Sequence, residues 1–229
     1  MTRNRRTRFA ALALVAAMGL GLAACDPGGG GDSSGTGRAS GATSAGTASS
    51  GSSTSSSVLG AGDRAAVVQM REEEKLARDV YTALGDKWGV AIFDNIAASE
   101  QTHMDQVATL LDRYGIADPA ATTAPGEFAD AKLQALYDQL VAQGSRSLVD
   151  ALSVGATIED LDIADLRSFA TTTADVQAVW DNLERGSRNH LRAFTSQLET
   201  RGGSYTPQYI SASDYQAIVT TGTERGGNR

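Results

Sequence analysis

Cysteine is almost absent: one in 229 residues, at position 25, which excludes a disulfide framework and any Cys-based zinc site. Proline is scarce, with only 4 in the chain, and aromatic residues make up 6%. Few prolines favour helices over a turn-rich β fold, and few aromatics mean that a core must be built from aliphatic side chains and alanine. Histidine occurs twice, so each one is informative. Positive charge is also short: 20 Lys and Arg stand against 27 Asp and Glu, for a formal net charge of -7. Four of the basic residues (Arg3, Arg5, Arg6 and Arg8) lie in the first 24 positions, where there is no acid. Without them the balance is 16 against 27, or -11. So acidic a chain is not expected to bind nucleic acid, since such binding runs on counterion release at basic surfaces.

The four arginines precede an apolar run over residues 9–22 that ends in Leu22-Ala23-Ala24-Cys25. At about 14 residues it is short of the ~20 a membrane-spanning helix needs. Residues 1–25 have the organisation of a processing segment and resemble a bacterial lipoprotein signal, which is cut before its Cys. The resemblance implies a lipid on Cys25 and a protein anchored to the extracytoplasmic face of the cell membrane. In residues 26–57 only Asp26, Pro27, Asp32 and Arg38 are not Gly, Ser, Thr or Ala. Such a segment has nothing to bury against its chain entropy and is expected to be a disordered linker, with a reach of roughly 30 Å.

Helical periodicity dominates residues 58–220, which are expected to form the folded domain, followed by a flexible tail over 221–229. Val67, Met70, Ala77, Tyr81 and Leu84 mark a first helix, ending near Gly85. Phe93, Ile96, Met104, Val107, Leu111 and Tyr114 mark a second, closed by Gly115 and Pro119. A shorter helix runs from Phe128 to Val141 and stops at Gly144. Leu148, Leu152, Leu166 and Phe169 mark a third long helix, and Val176, Val179, Leu183, Leu191, Phe194 and Leu198 a fourth, ended by Gly202 and Gly203. The pattern predicts an all-α domain of four long helices with one shorter helix in the crossover connection. Trp88 and Trp180 suit core or rim packing, and residues 205–209 read as an extended loop lying back on the bundle.

Each apolar stripe is interrupted by a polar residue. The first runs through Glu74, the second through Glu100 and His103, the third through Glu159 and Asp162, and the fourth through Ser187 and His190. A buried carboxylate exists only when paired or bound to a metal, and four such helices suggest one shared site. Residues 100–103 read Glu-x-x-His, and at i, i+3 both side chains leave the same side of a helix. Bundles that hold two iron or manganese ions take one Glu from each of two helices and a Glu-x-x-His from each of the other two.

On these residues the domain resembles the ferritin-like superfamily of di-iron carboxylate bundles, and more closely the bacterial and archaeal ferritin-like family called domain of unknown function 2202. The resembling stretches are residues 71–81 (REEEKLARDVY), 95–104 (NIAASEQTHM), 158–163 (IEDLDI) and 187–194 (SRNHLRAF). Glu74 followed seven residues later by Tyr81 matches the first helix of the ferritin pattern. The resemblance implies two divalent metal ions, iron first and manganese or zinc after it, on Glu74, Glu100, His103, Glu159, Asp162 and His190. It departs from the pattern at Ser187, where the second Glu-x-x-His would have its Glu. Asp162, or Glu184 one turn before Ser187, is the candidate replacement, and Tyr81, Ser187 and Glu184 are candidates for a supporting role.

Other readings of the same residues stay open. Glu72 and Glu73 suit a solvated helix face. Glu159 and Asp162 also suit the acidic first turn of a helix begun after Gly155. Arg185, Arg188 and Arg192 can pair with buried acids in place of a metal. Three functions follow: a surface oxidoreductase that oxidises Fe(II) or removes peroxide, a metal buffer or sensor, and a metal-free interaction module.

Overall fold

The computed structural model describes residues 59–226. The signal with Cys25, the linker and residues 227–229 lie outside it. Six helices and no strands occur among the described residues: α1 (Ala61–Trp88), α2 (Ala91–Arg113), α3 (Ala131–Gly144), α4 (Leu148–Ser168), α5 (Ala174–Glu199) and α6 (Ala212–Val219). None of them is long and apolar enough to cross a membrane.

The boundaries differ from the sequence pattern for identifiable reasons. Helix α1 does not stop at Gly85 but runs to Trp88, and Gly89 closes it at φ 62 with its N–H on the Gly85 carbonyl. Gly85 has a packing role: a Cβ there would lie 2.7 Å from Asp94 Oδ1 and 3.3 Å from Phe93 Cβ, so the glycine lets the start of α2 come close. The same holds at Gly155, where a Cβ would meet the Phe194 ring at 2.5 Å. Helix α4 is therefore unbroken through Gly155, and Glu159 and Asp162 sit in its interior instead of opening a helix. Helix α3 begins three residues after Phe128, because Asp130 caps the N–H groups of Lys132 and Leu133. Helix α6 was not expected; its eight residues bury only Tyr215 and Ile218, too few positions to form a legible stripe.

The four long helices pack as a bundle. α1 pairs with α2 across a two-residue turn, α4 pairs with α5, and contacts of α2 with α5 and of α1 with α4 close the ring. α3 lies in the crossover and touches α1 and α4, while α6 rests on α5. The loop before α3 is tied to α1 by the buried Lys75, which donates to Asp79 (2.5 Å) and to the carbonyls of Ala124 and Glu127. Residues 205–210 do return to the bundle: Asp160 accepts from the Tyr205 hydroxyl and from the N–H groups of Gln208, Tyr209 and Ile210. Beyond α6, Glu224 reaches Arg188 and Arg192 on α5.

The core comes in two apolar clusters. One gathers Tyr81, Leu84, Phe93, Leu152, Phe194 and their neighbours; the other gathers Val67, Met70, Val107, Leu111, Trp180 and Leu183. Between the two, at mid-length on all four long helices, lies the polar layer.

Candidate metal centre

Mid-helix placement follows from the stripes. Residues that keep the 3.6 period of an apolar stripe must face the interior, whatever their chemistry. Glu74, Glu100, His103, Glu159, Asp162, Ser187 and His190 are all buried, and Glu74 and Glu159 have no exposure at all.

Two groups of three are close enough to share an ion. Glu74, Glu100 and His103 form one, and Glu100, Glu159 and His190 the other; in each, the ligand atoms lie within 4.8 Å of one another. Glu100 belongs to both. Its Oε2 lies 2.7 Å from His103 Nδ1 and its Oε1 2.8 Å from His190 Nδ1. Glu74 Oε2 is 3.2 Å from His103 Nδ1, and Glu159 Oε1 is 3.5 Å from His190 Nδ1. Both imidazoles thus turn Nδ1 inward, and their ring centroids are 5.7 Å apart.

The surroundings hold these groups in place. Tyr81 donates its hydroxyl to Glu159 Oε1 at 2.6 Å, so the first-helix tyrosine supports the third long helix's glutamate. Ser99 Oγ lies 3.0 Å from His190 Nε2 and takes up the outward nitrogen of that ring. A hydrogen bond at the outer nitrogen fixes which nitrogen offers its lone pair inward. The Cε1–Nε2 edge of the His103 ring packs against α5 at Gly186, where a Cβ would meet its Cε1 at 2.4 Å and its Nε2 at 2.5 Å. Sequence reasoning missed Ser99 and Gly186, since neither lies on an apolar stripe.

Four buried side-chain atoms of the layer make no hydrogen bond: Glu74 Oε1, Glu100 Oε1, Glu159 Oε2 and His190 Nδ1. His190 Nδ1 and Glu100 Oε1 approach to 2.8 Å yet lie outside hydrogen-bond geometry. Orphaned polar atoms in a native interior are rare and costly. Four of them, all metal-ligating in type, fit divalent cations held by carboxylate and imidazole.

Burial, with the charge of Glu100 beside it, pushes Glu74 up to about 8, even though His103 pulls the other way. Glu159 rises to about 7 for the same first reason. Burial would also raise Glu100, but His190 and His103 outweigh it and hold it below the usual carboxylate range. Burial would depress His103, but Glu74 and Glu100 raise it to about 10. Burial thus pushes Glu74 and Glu159 toward the protonated form, while the carboxylates push His103 toward the charged one.

Not every candidate joins the centre. Asp162 is buried and feels the charges of Glu74 and Glu159, but belongs to neither group. Ser187 spends its hydroxyl on the Leu183 carbonyl of its own helix. Glu184 is engaged by Arg167 and Arg188 and belongs to neither group. Arg188 and Arg192 bind Glu224, and Arg185 binds Asn182. Among the described residues no Lys or Arg pairs with the acids of either group. The expectation of a solvated face fails at Glu73, which is buried, and Glu72 is half-buried.

The profile of an uncharacterized protein domain, DUF2202, matches residues 63–222 of the chain. The chain belongs to the DUF2202 family. The chain is similar to the uncharacterized protein MJ0754 of Methanocaldococcus jannaschii, with 53% identity over 169 residues, covering 73% of this chain and 91% of the relative. The crystal structure of hypothetical protein MJ0754 from Methanococcus jannaschii superposes with a TM-score of 0.71 at 51% identity, covering 72% of this chain and 96% of that one. The match takes in all six helices but for the first two residues of α1, so the two groups lie wholly within the DUF2202 domain.

Proposed function

We propose that this DUF2202 domain is a ferritin-like carrier of two divalent metal ions, iron first and manganese or zinc after it, which the two groups that share Glu100 would hold. The observation that carries the reading is the pair of buried triads that share Glu100, four of whose own ligand atoms make no hydrogen bond. Glu74 and His103 complete one position; Glu159 and His190 complete the other. When bound, iron would supply redox chemistry toward O2 or peroxide, which makes the domain an Fe(II) oxidase or a peroxide-removing oxidoreductase. The chain's own residues do the rest. Tyr81 keeps Glu159 oriented, Ser99 keeps the His190 lone pair inward, and the two apolar clusters keep bulk water from the layer. The resemblance of residues 1–25 to a lipoprotein signal, with Cys25 as its lipidated residue, and the Gly/Ser-rich linker support a position for this activity on the extracytoplasmic face of the cell membrane.

A second reading has its own observation. Ser187 leaves the centre one carboxylate short of the two-ion pattern, which favours metal buffering or sensing without turnover. Metal analysis of the natively purified protein, followed by Fe(II) oxidation in air, tests both. Two ions per chain with rapid oxidation support the oxidase; two ions without oxidation support the buffer. A metal-free chain that gains no stability from Fe(II), Mn(II) or Zn(II) rejects both.

A further inference from the structure

Two arginines stand on α1 about one turn from Glu74, Arg71 three positions before it and Arg78 four after. Residues at those spacings are neighbours on a helix, and a free guanidinium there would be the obvious partner for a buried carboxylate. Both are held by other acids instead. The Arg71 fork, Nε and Nη2, closes on the Asp118 carboxylate at 3.0 and 2.9 Å. The Arg78 fork closes on Asp79 Oδ1 at 2.8 and 2.6 Å. The same two acids fix the crossover loop: Asp118 belongs to it and accepts from the Ala120 N–H at 2.8 Å, and Asp79 Oδ2 accepts from the Gly126 N–H at 2.9 Å. The remaining arm of each guanidinium reaches α2. Arg71 Nη1 donates to the buried Met104 carbonyl at 2.8 Å, and Arg78 Nη1 donates to Gln101 Oε1 at 2.6 Å. Met104 follows His103, and Gln101 follows Glu100. The two bonds thus cross from α1 to α2 on either side of the level where Glu74 Oε2 meets His103 Nδ1 at 3.2 Å.

We propose that Arg71 and Arg78 are positioning residues for the metal position of Glu74 and His103: two charged braces, anchored on Asp118 and Asp79, that set the spacing of α1 and α2 there. The proposal rests on the metal-centre reading above. A carbonyl inside a helix already has its backbone partner, so the Arg71 bond to Met104 serves no helix end. Arg71 is only 8% exposed, and apolar side chains can close two helices without the desolvation of a buried charge. What the guanidinium adds is a rigid fork that fixes one distance. Glu159 and His190 are supported by Tyr81 and Ser99, so loss of a brace acts on one position alone. Charge and positioning predict opposite signs. An arginine this near repels a cation, so its removal would tighten binding if charge were its whole contribution. Removal of a brace loosens binding, as loss of the partners around a ligand does.

The test is Mn(II) affinity at each position by itself, from the electron paramagnetic resonance of free Mn(II) in titrations of the full-length protein. His190→Ala leaves the position of Glu74 and His103, and His103→Ala leaves the other. Arg71→Met and Arg78→Met, each placed in both backgrounds, are expected to weaken Mn(II) ~10-fold or more in His190→Ala and to leave His103→Ala unchanged. Arg71→Lys keeps the charge without the fork and should weaken binding as Arg71→Met does. Arg78 is half-buried, so its variant keeps the test valid if Arg71→Met does not fold. In the otherwise wild-type protein the same variants should weaken one Mn(II) of the two, which keeps the test valid if His190→Ala binds none. Unchanged or tighter binding at the Glu74 and His103 position would overturn the braces. Equal weakening at both positions would overturn them in favour of a general support of the bundle. Failure of the wild type to bind Mn(II), Fe(II) or Zn(II) would instead overturn the metal-centre reading, and the braces with it.

Discussion

The two triads share Glu100 and differ in how they are assembled. Glu74, Glu100 and His103 all come from the α1–α2 hairpin, whose helices are joined by two residues. Glu100, Glu159 and His190 come from three helices, so the second triad exists only when the whole bundle has closed. Their supports differ too. The first is a clearance, with His103 against the bare backbone of Gly186; the second is a pair of hydrogen bonds, from Tyr81 to Glu159 and between Ser99 and His190. One position is thus nearly local in sequence, and the other reports tertiary closure. A ligand that binds only the folded state stabilises it by mass action, so the second ion should tighten the bundle more than the first.

The largest expected effect breaks both positions together. Glu100→Ala removes the shared carboxylate and should abolish metal binding and any metal-dependent rise in Tm, measured by elemental analysis and thermal melts. His103→Ala and His190→Ala should each lose one ion, with the His190 variant losing more of the metal-induced stabilisation. Equal losses would remove the distinction between a local and a closure-dependent position.

Gly186→Ala separates the supports. Its Cβ cannot coexist with the His103 ring at 2.4 Å, and that ring is held by Glu74 and Glu100 through Nδ1. The variant should lose the first ion and keep the second. Two ions in Gly186→Ala would show that the ring has room to move. Tyr81→Phe acts on the other side: the loss of one buried bond to a carboxylate should cost about 1–2 kcal/mol of stability in denaturant melts and weaken only the second ion.

The pH dependence of the metal-free protein carries a sign. Glu74 and Glu159 have folded values of about 8 and about 7, well above the usual carboxylate range. Between pH 5 and 8 the folded state therefore holds more protons than the unfolded chain, and stability falls as pH rises. His103, raised to about 10, acts in the same direction above pH 6.5. Metal should reverse the trend by displacing those protons, so at pH 7 binding should release protons, seen as a buffer-dependent heat in calorimetry. A heat independent of buffer would count against protonated carboxyls in the metal-free layer. The smallest effect lies outside the layer. Glu224 is held down to about 2, first by its bonds to Arg188. A depressed carboxyl stabilises above its unfolded value, and that contribution is lost as pH falls from about 4.5 toward 2. Because the pair is half-buried and still reached by solvent, Glu224→Gln should differ from wild type by ~1 kcal/mol or less at pH 7 and by much less at pH 2.

The residues of the two groups were legible because an apolar stripe fixes the inward face of a helix, and Glu74, Glu100, His103, Glu159 and His190 each keep that register. What lay off the stripes was not. Glu73 is one position away from Glu74, and its burial comes from packing between helices that periodicity within α1 cannot carry. Gly155 and Gly85 looked like helix breakers because glycine ends helices often; here each makes room for a neighbouring residue, Phe194 in one case and the start of α2 in the other. Asp162 kept the register but not the distance, since being on the inward face does not decide which neighbours a side chain reaches. Helix α6 was invisible because it buries two residues on a surface the rest of the chain provides.

The claim on which everything else depends is that one carboxylate bridges two ions. Electron paramagnetic resonance of the protein loaded with two Mn(II) per chain tests it most directly. Ions joined by Glu100 should give the broadened spectrum of an exchange-coupled pair, and that coupling should vanish in Glu100→Ala. Two independent Mn(II) spectra at full loading, or no bound Mn(II) at all, would contradict the account.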